Sequence, residues 1–190
     1  MGIVVNQSIK NTIITYIGFG IGAANTLFMY PHFLGAKFYG LTGYLLSAAN
    51  VIFPLMAFGV HNTLVKFFSQ YKTEKEKSQF LSFVMFLPLL AIIPIFIIQF
   101  LFYDGIASFL SKENPIVYDY VWQIPVIGFC MGYFEIFYAW VKVHMQSVFG
   151  GFVKEIVLRV LITIFLFGVY FDWLTVNEFI IATMLIYFVS

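Results

Sequence analysis

Two residues of this chain put an ionisable side chain deep inside an apolar run. Glu135 lies in the run Tyr120–Val141, six positions before its end, and Arg159 lies in Val153–Phe171, seven positions after Phe152. If both runs are helical, a rise of 1.5 Å per residue puts these groups roughly 9 and 10 Å from the same end of their helices. The runs are joined by the short segment Lys142–Phe152, which contains Gly150-Gly151. Short connections make antiparallel neighbours, so a carboxylate and a guanidinium are expected at matching depth. An unpaired charge at mid-membrane costs at least ~2.5–3.5 kcal/mol on insertion scales. Arg159 therefore either snorkels to the nearby surface or pairs structurally, or it lines a polar cavity. Glu135 is too short to snorkel easily, and a cavity or ion-coupling role stands beside a purely structural one.

The uncharged polar residues inside the apolar runs form a second set. Asn25, Asn50 and Gln99 sit within the first three runs, with His61 and Asn62 near the end of the second. Each has the ordinary reading of an interhelical hydrogen bond; together they could make one face wet. No catalytic constellation accompanies them. His32, His61 and His144 have no paired spacing, no His/Cys cluster has metal-ligand spacing, and there is neither a nucleophile elbow nor a phosphate loop. The chain is expected not to be an enzyme, to hold no metal and to need no cofactor beyond a coupling ion.

The elements that must position these residues are long and apolar. The runs are Asn11–Tyr30, Leu41–Val65, Gln79–Tyr103, Tyr120–Val141, Val153–Phe171 and a last one from Phe179. The first three, of 20, 25 and 25 residues, contain no Asp, Glu, Lys or Arg. Crossing a bilayer takes roughly 20 such residues. Only 10% of the chain is charged and 62% is hydrophobic, against about 25% charged in soluble domains. The runs do not alternate as barrel strands do. The fold class is therefore all-α, a polytopic transmembrane helix bundle of about six spans in one lobe, residues 1–190, with the lipid bilayer as its first partner.

Threading the runs alternately puts eight of the ten Lys/Arg residues on the side of the N-terminus, leaving only Lys37 and Lys112 opposite. The positive-inside rule then makes the N-terminus cytoplasmic in a multi-pass plasma-membrane protein. Trp122 and Trp173 fall near the outer interface and Trp140 near the inner one, where an aromatic belt would use them. A formal net charge of +1 gives no basis for a nucleic-acid partner. Pro54, Pro88, Pro94 and Pro125 lie inside predicted spans and are expected to bend them. Gly18 and Gly22, joined by Gly20 and Ala23, make a small-residue face on the first span. The lone Cys130 is expected to be a packing residue. The last run stops without a polar flank, so the chain is expected to be a fragment of a longer polypeptide.

Three stretches carry a resemblance. They are NTIITYIGFGIGAANTLFMYPHFLGAKFYGLTGY, with P-x-x-L-G-x-x-x-Y-G-L between the first two runs, then PLMAFGVHNTLVKFFSQY, and then EIVLRVLITIFLF. Together, and in this order, they resemble the oligosaccharide (Wzx-type) flippase family of the MOP, MATE-like, transporter superfamily along the whole chain. The resemblance implies a bacterial inner-membrane transporter of twelve to fourteen helices in two lobes, this chain being the first and a C-terminal lobe completing it. It implies a lipid-linked, polyprenyl-diphosphate oligosaccharide as substrate and a basic central cavity. Arg159, in an E-x-x-x-R pattern, would be a cavity cation, and Lys66 stands where the family often has a basic residue. Glu135 matches no family motif; as a titrating group it would serve coupling to H+ or Na+. A cation-coupled drug antiporter of the same superfamily, a membrane enzyme of polysaccharide assembly and a non-transporting scaffold remain the alternatives.

Overall fold

The computed structural model of the chain describes residues 2–189, and every regular element in it is helical. The α-helices are α1 (Ile3–Ala24), α2 (Tyr30–Met56), α3 (Val60–Phe67), α4 (Glu74–Leu101), α5 (Tyr103–Leu110), α6 (Gln123–Val143), α7 (Ser147–Phe152), α8 (Leu158–Tyr170) and α9 (Val176–Val189). π-Helical turns at Asn25–Met29 and Val153–Val157 join α1 to α2 and α7 to α8 without interrupting the helical path. Among the described residues three stretches are long and apolar enough to cross a membrane: Val5–Met56, Glu74–Leu101 and Gln123–Val143. The first is two helices in one, because Gly35 adopts φ 71° and ψ 163°, a conformation open to glycine and costly for other residues. The path from Ser147 to Tyr170 adds 24 residues, about 36 Å at helical rise. The last predicted run ends at Ser190, which lies outside the described residues.

The helices begin and end where local chemistry dictates, and several predicted bounds shift. The expected outer connection Pro31–Gly40 is helical except at Gly35. The second span starts just after that break and stops at Met56 rather than Val65. Phe58 and Gly59 take φ of 51° and 66°, and two consecutive left-handed residues cannot continue an α-helix. Of the four prolines expected to bend span interiors, Pro54 lies two residues from the end of α2 and Pro125 lies in the first turn of α6. A missing N–H is no loss in a first turn, so Pro125 is a helix starter and not a kink. α4 runs on through Pro88 and Pro94. It opens with a capping box: Thr73 Oγ1 accepts from the Glu76 N–H (3.2 Å) while Glu76 accepts from the Thr73 N–H (3.1 Å). Thr175 and Glu178 repeat the device at α9.

The chain divides into two compact units, one made of Met1–Thr42 with His144–Ser190 and the other of Gly43–Val143. In the second, α3 lies along α6 and touches α4. Val60 and Leu64 from α3, Val84 from α4, and Ile136 and Ala139 from α6 form a buried cluster. The opposite side of α4 bears Phe83, Phe86, Leu90, Ile93, Ile97 and Phe100 at alternating spacings of three and four, all exposed. A stripe of large apolar side chains of this length is out of place in water and suited to hydrocarbon. Trp122, Trp140 and Trp173 are exposed as belt residues need to be, and Cys130 is buried in α6.

The connection between α5 and α6 is tied down by tyrosines. Tyr118 donates to Asp104 Oδ1 (2.8 Å), and Tyr103 donates to the Tyr118 carbonyl (2.9 Å). The hydrogen bond to Asp104 pushes the Tyr118 phenol above its ordinary value of 10.0, helped by burial and by the carboxylate's charge. A group whose folded value is raised stabilises the fold fully below its unfolded value and loses that contribution as pH rises through the folded one. Tyr118→Phe is therefore expected to flatten the fall in Tm on the alkaline side of pH 10, read from melting curves across that range.

Candidate functional site

The first unit contains a polar seam between two helices that run in the same direction. Gln7 Nε2 donates to the Met145 carbonyl (2.7 Å) and Asn11 Nδ2 to Ser147 Oγ (3.3 Å). Further along α1, a Cβ on Gly18 would lie 2.9 Å from Glu155 Cβ, and one on Gly22 would meet the Arg159 guanidinium. Asn25 Nδ2 then donates to the Arg159 carbonyl (3.1 Å). The hydrogen-bonded partners stay 134 to 138 residues apart along the sequence. A near-constant offset means parallel helices in register, here over about 27 Å of α1. Odd-numbered spans of a threaded chain must run parallel, so the seam agrees with the threading read from the sequence. Gly20, expected on the small-residue face, has open space around its Cβ position and lies off it.

Towards the far end of the seam Arg159 Nη2 donates to Glu155 Oε2 at 2.9 Å, one helical turn away. The ion-pair partner of Arg159 is Glu155, on its own helical path. Two glycines let this pair sit against α1, since neither position has room for a side chain. The side chains of Arg159 and Glu155 remain 34% and 24% exposed, so the pair is reachable and not sealed.

Next to the pair, Asn25 is 3% exposed and bonded through both its amide nitrogen and its oxygen. Thr163 Oγ1 lies 2.9 Å from Asn25 Oδ1 and 2.8 Å from the Arg159 carbonyl, and its single proton is shared between these acceptors. Tyr187, on α9, is within electrostatic range of Arg159 and of Tyr30. Both π turns belong to this place: one begins at Asn25, the other contains Glu155. A π turn inserts one residue and so rotates the rest of its helix by about 100°. Such bulges concentrate at functional sites.

Of the site residues expected from sequence, Asn25 and Arg159 come together. Asn50, His61 and Glu135 belong to the other unit. Asn50 Nδ2 turns back to the Leu46 carbonyl of its own helix (2.9 Å), a local satisfaction in place of the expected interhelical bond. Nδ1 of His61 is buried without a hydrogen-bond partner. Glu135 is half-buried on α6. Gln99 Nε2 donates to the Val121 carbonyl (3.1 Å) and ties α4 to the start of α6. Sequence reasoning missed Glu155 and Thr163 as site residues. The signal for Glu155 was present in E-x-x-x-R, a spacing that pairs charges across one helical turn. Among the described residues no three His, Cys, Asp or Glu side chains converge as a metal site requires. Comparison of the chain with known protein families, with characterised proteins and with solved structures gives no match.

Proposed function

We propose that this chain is one lobe of a membrane transporter that flips a lipid-linked, polyprenyl-diphosphate oligosaccharide across the bacterial inner membrane for surface polysaccharide synthesis. It acts as a carrier, not an enzyme, with its N-terminus in the cytoplasm. The observation that carries the reading is the Arg159–Glu155 pair packed against Gly18 and Gly22 of α1. A charge retained at such depth is costly and marks a substrate or ion path in membrane proteins. Supporting it are the order of the three family-like stretches, the exposed apolar stripe of α4 and the parallel pairing of the first and fifth runs.

In this reading the diphosphate is drawn to Arg159, whose planar fork fits a phosphoryl group. The sugar is carried with it while the polyprenyl tail stays in the bilayer. A second six-helix lobe faces this one, and rocking of the lobes gives alternating access. Glu135 is the residue assigned to ion coupling, with H+ or Na+. The test is made in the bacterium that encodes the chain, with Arg159→Ala and Glu135→Gln introduced separately and expression checked by immunoblot. Arg159→Ala is expected to lower surface polysaccharide at least tenfold, and Glu135→Gln to lower it severalfold. Wild-type polysaccharide from both, at normal protein level, overturns the assignment.

A further inference from the structure

We propose that Glu155 is a built-in stand-in for the anionic ligand of Arg159, occupying the guanidinium when the site is empty and leaving it when a phosphoryl group arrives. This rests on the reading of Arg159 as an anion-binding cation and adds the residue that sets its affinity. The geometry points to exchange and not to a permanent pair. Arg159 uses a single N–H, on Nη2, to hold Glu155, whereas a guanidinium offers five donors and takes carboxylate or phosphate with two at once. The contact is thus monodentate, with donor capacity left for a stronger acceptor, and the exposure of both side chains leaves that acceptor a way in.

Four of its neighbours make no hydrogen bond to the guanidinium, and Tyr187 lies within electrostatic range of it. Gly18 and Gly22 present no side chain, Asn25 bonds the Arg159 carbonyl, and Thr163 bonds that carbonyl and Asn25. The carboxylate that holds Arg159 is Glu155, and it does so from one turn back on the same helical path. Its position within the π turn Val153–Val157 gives it a route out. A π turn can relax to α-helical hydrogen bonding by passing its extra residue along the helix, which re-aims the side chains inside it. A phosphoryl group on Arg159 would repel the Glu155 carboxylate and favour that relaxation. The cost of leaving Glu155 weakens ligand binding, which suits a carrier that must release its cargo as well as take it.

The experiment uses the full chain in nanodiscs of zwitterionic lipid, with inorganic pyrophosphate as probe and binding followed by calorimetry. Glu155→Gln is expected to tighten pyrophosphate binding by roughly tenfold, a change of about 1.4 kcal/mol. Glu155→Asp keeps the charge but shortens the reach, and is expected to tighten binding by a smaller factor; a purely long-range effect of net charge would leave it at the wild-type value. Arg159→Gln is expected to abolish binding, alone and with Glu155→Gln. Each variant is first shown by circular dichroism to keep its helical content, and the double variant Arg159→Gln with Glu155→Gln stands in for Arg159→Gln if the latter does not fold. Loss of binding in the Arg159 variant with no gain from either Glu155 variant overturns the stand-in and leaves Arg159 as an anion site. Unchanged binding in the Arg159 variant, or none in wild type and Glu155→Gln alike, overturns both.

Discussion

Gly18→Leu is expected to force α1 away from the turn Val153–Val157 and to lower stability by about 2–3 kcal/mol, the range for overpacking a tight contact. A Cβ at this position meets the backbone and the Cβ of Glu155, atoms that cannot rotate aside. The matched control is Gly20→Leu, two residues along the same helix, where the same side chain enters open space and helix propensity favours leucine over glycine. The two proteins have identical composition and differ only in which side of α1 is crowded. Unfolding in mixed detergent, followed by circular dichroism, should separate them clearly; equal stabilities would remove the seam as a close helix contact. Gly22→Ala lies between. Its Cβ meets the far end of the Arg159 side chain, which can swing away, so the expected damage is to the ion pair and not to the fold.

Arg159→Gln is expected to cost about 2–3 kcal/mol of stability, and Glu155→Gln added to it to restore most of that loss. Removing the guanidinium leaves the partly buried Glu155 carboxylate without its partner, and an orphaned charge costs more than the pair was worth. The pair is partly exposed, so the figure stands below the roughly 3–5 kcal/mol of a sealed ion pair. Removing both charges deletes the penalty with the interaction. A double-mutant cycle on unfolding midpoints measures the coupling directly. Additive effects would show that Glu155 and Arg159 do not act as a pair. Since the double variant regains stability without a cation, the same proteins separate folding from transport: surface polysaccharide is expected to stay low in it.

Much of the local structure was legible in the residues. Runs free of charge gave the helices, because a helix that satisfies its own backbone is the available structure for such sequence in hydrocarbon. The T-x-x-E spacings mark the starts of α4 and α9 through reciprocal backbone bonds. The errors have local causes too. Pro125 reads as an interior kink only if its helix begins at Tyr120, but a 3₁₀ turn over Pro115–Tyr120 precedes it and moves the helix start to Gln123. Val65 reads as the end of the second span only if Phe58 and Gly59 are helical, and both are left-handed. Gly35 is one of 14 glycines, and nothing in its neighbours distinguishes it as the one that breaks a helix.

By itself the sequence determined the helical class and the two charges that apolar helices must accommodate. These come from composition and from interactions within a few residues. The tertiary structure decided the rest: that α1 pairs in parallel with the path from α7 to α8, that Gly18 and Gly22 face it while Gly20 does not, and that Arg159 is held by Glu155. The physical reason lies in helices apolar nearly all round, whose side-chain pattern names no inward face. Two π turns then shift the register by a residue that periodicity does not reveal. Which faces meet was set by close fit and by the few hydrogen bonds from Gln7, Asn11, Asn25 and Thr163, all made across more than 130 residues of chain.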